Sequence, residues 1–161
     1  VDFKVIKSSL ESFSGVYRRF EVKYNKEILV IDDYAHHPTE SAATLKGIRD
    51  GWDRRLIVVF QPHLYSRTRD FYQEFGRAFL NTDVFICTDV YPARELPIEG
   101  VTGELISGIT KKFGHKNTFI QNIDECYTTP HLPDTNPPDT NPPAKRPFPH
   151  TIKSLTHIPR L

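Results

Sequence analysis

A chain of 161 residues can bury the core of one ordinary domain and leaves little room for a second. Its 21 basic and 20 acidic residues give a net charge of +1, which offers no electrostatic basis for binding nucleic acid or a membrane surface. Cys87 and Cys126 are too few for a disulfide framework, and no leader or membrane-spanning run is evident, so we expect a soluble protein in a reducing cytoplasm.

The first predicted element is a short helix that ends near Gly15. Four apolar residues before that glycine recur at the three- and four-residue spacing of one helical face: Phe3, Ile6, Leu10 and Phe13. Next, segments 16–24 and 27–34 are rich in β-branched and aromatic residues and are separated by two positions, which predicts a hairpin. Within such a strand Arg18 and Arg19 point to opposite faces, so we expect at most one of them to face a ligand.

Strands and helices are then predicted in alternation. Pro38 suits the first turn of a helix that Gly51 ends, and buried strands are predicted at 56–60 and 84–90, each followed by a polar loop and an amphipathic helix. Residues 117–121 begin a third cycle. Short aliphatic runs between amphipathic helices predict an α/β fold, in which helices pack on the faces of a parallel sheet.

The composition changes after Cys126. Nine of the chain's 13 prolines fall between Pro130 and Pro159, and the pentapeptide PDTNP occurs twice. Such a segment has few apolar residues to bury and lacks an amide donor at each proline, which predicts an extended or disordered tail over 127–161. A ligand for a proline-recognition domain is the alternative, although no anchor pattern singles one out.

Polar residues cluster at the ends of three predicted strands. The clusters are Asp32, Asp33, Tyr34, His36 and His37; His63, Arg67 and Arg69; and Asp89, Tyr91, Arg94 and Glu95. Because the carboxyl ends of parallel strands open onto the crevice where ligands bind, these side chains are candidates for one shared site. Arg67 lies near a helix start, where the dipole disfavours a cation, so we interpret it as an anion-binding residue. Asp33 has the alternative role of capping the helix or holding a turn, and His36 and His37 that of making local hydrogen bonds.

Three other kinds of site are disfavoured by spacing. Asp32 and Asp33 are adjacent and no His-x-x-x-His or Cys-x-x-Cys pair is present, so we predict no metal ion held by this chain alone. Ser66 lies near His63 but not in a Gly-x-Ser-x-Gly elbow. Neither a Gly-x-x-x-x-Gly-Lys phosphate loop nor a Gly-x-Gly-x-x-Gly motif occurs. The pattern alone therefore predicts an α/β domain with an anion-binding edge.

Four segments, in this order, carry a resemblance to a known family: FSGVYRRFEV, VIDDYAHHPTE, FQPHLYSRTRDF and TDVYPARELPIEGV. They resemble the carboxy-terminal domain of the Mur ligases, in particular the members that add L-alanine to UDP-N-acetylmuramate, over about residues 1–125. The resemblance implies a Rossmann-like, mainly parallel sheet with helices on both faces. It also implies cytoplasmic peptidoglycan synthesis, in which ATP and Mg²⁺ form an acyl phosphate that the amine of L-alanine attacks.

The resemblance also implies roles for individual residues. Arg19 becomes the arginine that reaches ATP from this domain, and Asp33 the acid that contacts the ribose of the nucleotide. The side chains implied for the L-alanine and acyl-phosphate region are Tyr34, His36, His63 and Arg67. Of these, Arg67 can pair with the carboxylate of alanine, and His36 or His63 can orient the amine or neutralise developing charge as catalytic residues.

Two departures from the family pattern set further expectations. The chain has no counterpart of the domains that bind the UDP-sugar and ATP, so we expect it to be inactive alone. The proline-rich segment 127–161 replaces the family's last strand and helices, which suggests truncation or a frameshift. We therefore expect a helix at 1–15 leading in from the central domain, an incomplete and marginally stable domain at 16–126, and the tail. A non-catalytic binding module and a muropeptide ligase of peptidoglycan recycling are the alternatives.

Overall fold

The computed structural model describes residues 1–13, 15–122, 126 and 151–155. The described part contains four α-helices, a 3-10 helix and six strands. In chain order they are α1 (Phe3–Glu11), β1 (Glu21–Asn25), β2 (Leu29–Asp32), α2 (Pro38–Gly51), β3 (Arg55–Phe60), α3 (Tyr65–Ala78), the 3-10 helix (Phe79–Asn81), β4 (Val84–Cys87), α4 (Gly103–Lys112), β5 (Thr118–Ile120) and β6 (Thr151–Leu155). None of these helices is long and apolar enough to cross a membrane.

All six strands belong to one sheet, in the order β1-β2-β6-β3-β4-β5. Only the β1–β2 pair is antiparallel among them, so the prediction of a mainly parallel sheet is confirmed. The connections from β2 to β3, from β3 to β4 and from β4 to β5 each lead toward the same edge of the sheet. Right-handed crossovers in one direction place their helices on the same face. The helices α2, α3 and α4 accordingly share one core.

One face of the sheet carries an aromatic core. Four phenylalanines fill it, each at most 1% exposed: Phe60, Phe75, Phe79 and Phe85. The rings of Phe79 and Phe85 stack with centroids 4.1 Å apart. Ile48 from α2 and Ile106 from α4 complete the contacts with the helices.

The opposite face of β3 and β4 is also buried. Its cluster consists of Ile57, Val59, Val84 and Ile86, against which Phe119 and Cys126 pack. Strands buried on both faces cannot alternate polar with apolar residues. This explains the continuous aliphatic runs from which both strands were predicted.

The predicted hairpin is present but shorter than expected. The sequence before β1 forms a turn, because Arg18 and Phe20 have φ values of 56° and 49°, in the left-handed region that a strand does not use. The strand therefore begins only at Glu21. The opening helix is confirmed as α1, but its apolar face is exposed, and Phe3 retains 75% of its accessible surface.

The strand β6 lies inside the segment predicted to be a disordered tail. It pairs in parallel with β2 on one side and with β3 on the other. The expectation of disorder does not hold for these five residues, because backbone groups on two facing strand edges stabilise a segment that composition alone would leave unfolded. The sequence TIKSL also lies in a stretch without proline. The rest of the predicted tail lies outside the described residues, apart from the backbone of this strand.

A candidate ligand-binding site at the carboxyl edge of the sheet

The polar loops that follow β3 and β4 are joined through their backbones. His63 and Tyr91 form a parallel bridge. The Leu64 amide donates to the Tyr91 carbonyl at 2.9 Å, and the Tyr91 amide donates to the Pro62 carbonyl at 2.8 Å. These bonds extend the pairing of β3 and β4 past the ends of both strands. The two loops are therefore held in a fixed position relative to each other.

Four aromatic or imidazole rings line the edge formed by the three loops. The Tyr34 and His36 rings have centroids 4.8 Å apart, and the His36 and His63 rings 5.9 Å. On the far side, His63 stacks on Tyr91 at 5.5 Å. The structure therefore brings together Tyr34 and His36 from the loop after β2 and His63 from the loop after β3.

Three arginines surround these rings. The guanidinium of Arg18 lies 4.6 Å and that of Arg19 5.8 Å from the centroid of Tyr34. Both side chains can approach the same ring because the two arginines belong to a turn and do not alternate along a strand. From the other loop, Nη1 of Arg67 donates to the His36 carbonyl at 3.4 Å and contacts Nδ1 of His63 at 3.5 Å.

Arginine donors at the carboxyl edge are available to bind an anion. Nε and Nη2 of Arg18 are buried and have no hydrogen-bond acceptor among the described residues. Buried donors without an acceptor are costly, and an anionic ligand would satisfy them. Among the described residues, the guanidinium of Arg67 makes the two long contacts given above, which leaves donors for a carboxylate.

The protonation of His63 follows from its surroundings. Burial lowers the pKa of His63, and Arg67 and His36 lower it further, while Glu95 acts in the opposite direction. The ring is therefore neutral at neutral pH. Since the guanidinium of Arg67 can only donate, Nδ1 of His63 accepts and Nε2 carries the hydrogen.

His36 has the opposite tautomer. Its Nδ1 lies 2.8 Å from the Tyr34 carbonyl, which can only accept, so Nδ1 carries a hydrogen. When the ring is neutral, Nε2 of His36 holds a free lone pair. The two histidines therefore offer one acceptor and one donor to a ligand at this edge.

Asp33 is engaged inside the protein. It is 6% exposed, and its carboxylate accepts from the Ala35 amide at 2.8 Å, the Phe20 amide at 3.0 Å and the Thr44 hydroxyl at 3.2 Å. These bonds attach the turn that carries Arg18 and Arg19 to the start of α2. The geometry favours the turn-holding alternative over direct contact with a nucleotide ribose.

Two other candidate residues have local roles. His37 is the N-cap of α2, and its Nδ1 accepts from the Thr39 amide while its ring lies 5.0 Å from that of Phe71. Arg69 is exposed and pairs with Asp70 at 2.7 Å. Neither side chain belongs to the cluster at the carboxyl edge.

The sequence alone assigned no role in the site to Arg18 or Tyr91. Arg18 was expected to alternate with Arg19 along a strand. Tyr91 was one polar residue among several in its loop, although its position beside Pro92 just after a strand was a usable signal. Among the described residues, no three His, Cys, Asp or Glu side chains are grouped as a metal ion requires.

Comparisons with known proteins agree with the fold. A family model described as Mur ligase, glutamate ligase domain, matches residues 18–139, past the boundary predicted at 126. The UDP-N-acetylmuramate–L-alanine ligase of Geotalea uraniireducens is 50% identical over 118 residues, which cover 73% of this chain and 26% of the relative. The ligase of the same name from Geotalea daltonii is 52% identical over 120 residues, with the same shares.

A solved structure shows the same fold. The crystal structure of the UDP-N-acetylmuramate–alanine ligase of Thermotoga maritima matches with a TM-score of 0.70 and 24% identity, over 96% of this chain and 29% of that one. The chain thus spans about a quarter of the length of the curated relatives that it matches.

Proposed function

Because this chain belongs to the Mur ligase family, whose glutamate ligase domain it matches, we propose that it is the carboxy-terminal domain of a UDP-N-acetylmuramate–L-alanine ligase. In that role it holds L-alanine and helps to position ATP. Amino-terminal and central domains of the same enzyme bind UDP-N-acetylmuramate and most of the nucleotide. The observation that carries the proposal is the meeting of Tyr34, His36, His63 and Arg67 at one edge of the sheet.

The amino acid is held as a zwitterion between Arg67 and the two histidines. The guanidinium of Arg67 pairs with the carboxylate of alanine, for which its planar donors are suited. Nε2 of His36 takes a proton from the ammonium group, and the amine nitrogen then has a lone pair with which to attack the reacting carbonyl. Nε2 of His63 donates to an oxygen of the reacting group as negative charge develops there. Positioning two reactants in this way is the main contribution of the domain.

ATP lies on the Tyr34 side of the site. Its role in the family is to activate the carboxyl group that alanine attacks. The residues present fit a polyphosphate, because Arg18 has buried donors without an acceptor and Arg19 extends over the same ring. Asp33 acts on the nucleotide indirectly, by fastening the turn that presents both arginines.

Mg²⁺ is assigned to the phosphates of ATP and to domains outside this chain. The carboxylates nearest the site are already bound to protein: Glu40 accepts from the His36 and His37 amides, and Glu95 accepts from Ser66. The proposed enzyme acts in the cytoplasm, where a nucleotide-linked precursor and ATP are both at hand.

A hybrid ligase tests the proposal. This chain replaces the matching carboxy-terminal part of the Geotalea daltonii ligase, and phosphate release is measured with UDP-N-acetylmuramate and ATP. We expect release that depends on L-alanine, and an increase of about tenfold or more in the KM for L-alanine in the Arg67→Lys hybrid, because lysine cannot pair bidentately. Release only with a peptide would instead indicate a muropeptide ligase. No release, beside an active parent enzyme, would indicate a non-catalytic module.

A further inference from the structure

The helix α3 begins without a cap of its own. Its N-cap residue, Leu64, makes no side-chain hydrogen bond to the helix and has a φ of 74°, which is unusual for a residue with a branched side chain. The first amide groups of a helix need acceptors from elsewhere. Here the acceptor comes from the loop after β4.

Glu95 supplies this acceptor with both of its carboxylate oxygens. Oε2 accepts from the Ser66 amide at 2.9 Å, and Oε1 accepts from the Ser66 hydroxyl. The Glu95 amide donates to the Pro92 carbonyl at 2.9 Å, which closes a turn that directs the carboxylate back toward α3. These hydrogen bonds from Ser66 hold the pKa of Glu95 below its usual value, so the cap is charged at neutral pH.

This contact reaches further along the chain than the backbone pairing does. Pairing of the two loops ends with the bond from Leu64 to Tyr91. Beyond it, Ser66 is the point at which the loop after β4 holds the first turn of α3. Arg67 is the next residue, and it contacts Nδ1 of His63 across the same turn.

We propose that Glu95 is a positioning residue for the L-alanine subsite. By capping α3 through Ser66, Glu95 fixes the position of Arg67 relative to His63. It thereby sets the distance between the guanidinium that binds the carboxylate of alanine and the imidazole that donates to the reacting oxygen. The substrate named here rests on the proposed function, whereas the positioning itself does not. The alternative is that Glu95 caps the helix and adds stability without affecting the position of Arg67.

The first test uses the 161-residue chain and NMR. Glu95→Gln and Ser66→Ala each weaken the cap, and Glu104→Gln is the matched control, since Glu104 is an exposed acid in the first turn of α4. We expect faster amide hydrogen exchange at Ser66 and Arg67 in both test variants and no change in the control. The groups that face His63 are Arg67, His36, Glu95 and the rings of Tyr34 and Tyr91. Removing the charge of Glu95 should therefore lower the pKa of His63 further.

The second test measures kinetics in the hybrid ligase. We expect Glu95→Gln to raise the KM for L-alanine by about tenfold, with the KM for ATP unchanged, because a small displacement of a binding group is costly. Glu95→Ala should have a larger effect, since glutamine keeps one acceptor for Ser66. The Glu104→Gln hybrid should match the wild-type hybrid.

The outcomes separate the positioning role of Glu95 from the proposed function. Equal changes in the KM for L-alanine and ATP, or a lower Tm with both values unchanged, would reduce Glu95 to a structural cap. A wild-type hybrid without activity would refute the proposed function, and exchange at Ser66 and Arg67 would still decide the positioning role. If Glu95→Gln does not fold, Ser66→Ala carries the same test, because it removes one bond and retains the charge.

Discussion

Arginines at the two edges of the parallel sheet have different kinds of partner. At the amino edge, Arg49 binds only protein groups: Nη2 donates to Asp83 at 2.7 Å, Nε to the Asn81 carbonyl at 2.9 Å and Nη1 to the Arg54 carbonyl at 3.1 Å. Asp83 also accepts from the Leu56 amide. This guanidinium has little capacity left for a ligand and holds the end of α2 to the strands.

At the carboxyl edge, Arg18, Arg19 and Arg67 form no ion pair with a carboxylate in the described part of the chain. They contact rings, a carbonyl and an imidazole instead. A cation whose donors are all bound within the protein is structural, and one left without an acid suits an anionic ligand. The arginine at the amino edge therefore belongs to the scaffold, and the arginines at the carboxyl edge belong to the candidate site.

The largest expected effect is on the scaffold beneath the carboxyl edge. In Gly103→Ala the new Cβ would lie 2.2 Å from the Thr88 carbonyl oxygen, which is backbone and cannot rotate away. We expect the free energy of unfolding to fall by about 3 kcal/mol or more. Gly108→Ala is the control in the same helix, since nothing lies within 4 Å of its Cβ, and it should stabilise by about 0.5 to 1 kcal/mol. Urea unfolding of both variants decides, and equal stability would contradict the close contact.

Arginine substitutions test the comparison directly. Arg49→Ala should lower the free energy of unfolding by about 2 kcal/mol, because it removes the charged partner of Asp83 and the side-chain donor of two carbonyls. Arg67→Ala should change stability by less than about 0.5 kcal/mol, yet raise the KM for L-alanine in the hybrid by at least about tenfold. Urea unfolding and steady-state kinetics measure the two effects. An interchange of the two results would overturn the distinction between the edges.

A smaller effect is expected for the acid that fastens the arginine turn. Asp33→Asn keeps the size of the side chain but removes acceptors for the Phe20 and Ala35 amides or for Thr44. We expect a loss of about 1 to 2 kcal/mol in stability and a higher KM for ATP in the hybrid. The KM for L-alanine should stay the same. A change confined to the KM for L-alanine would instead assign Asp33 to the part of the site that binds the amino acid.

The smallest expected effect is a pH dependence due to His63. Burial and the neighbouring Arg67 lower the pKa of His63 in the folded protein, so the unfolded chain binds the proton first as pH falls. Stability from this residue is therefore present above its ordinary value of 6.5 and is lost as pH falls below it. Thermal melts between pH 5 and pH 8 should show a flatter profile for His63→Gln. A profile as steep as that of the wild type would contradict the shift.

Much of the scaffold could be predicted from local patterns. The buried strands β3 and β4 are continuous aliphatic runs, and α2 begins with Pro38, both of which are local signals. The convergence of His36, His63 and Arg67 followed from the rule that parallel strands end at one edge. Those features depend on residues that are close in sequence or on the topology alone.

Features that depend on distant partners were not predictable. The turn at Arg18 uses positive φ values at residues other than glycine, and Asp33 holds it from another loop. The start of α3 at Tyr65 leaves no signal beside the helix, because its cap comes from Glu95. Similarly, β6 is stabilised by two neighbouring strands and not by its own composition.

The central place of β6 has a consequence for the order in which the molecule forms. This strand joins β2, which precedes Tyr34 and His36, to β3, which precedes His63 and Arg67. It is translated long after both of its neighbours, and such non-local pairing is slow. The loop after β2 and the loop after β3 can therefore take their final positions relative to each other only after the ribosome has synthesised Leu155.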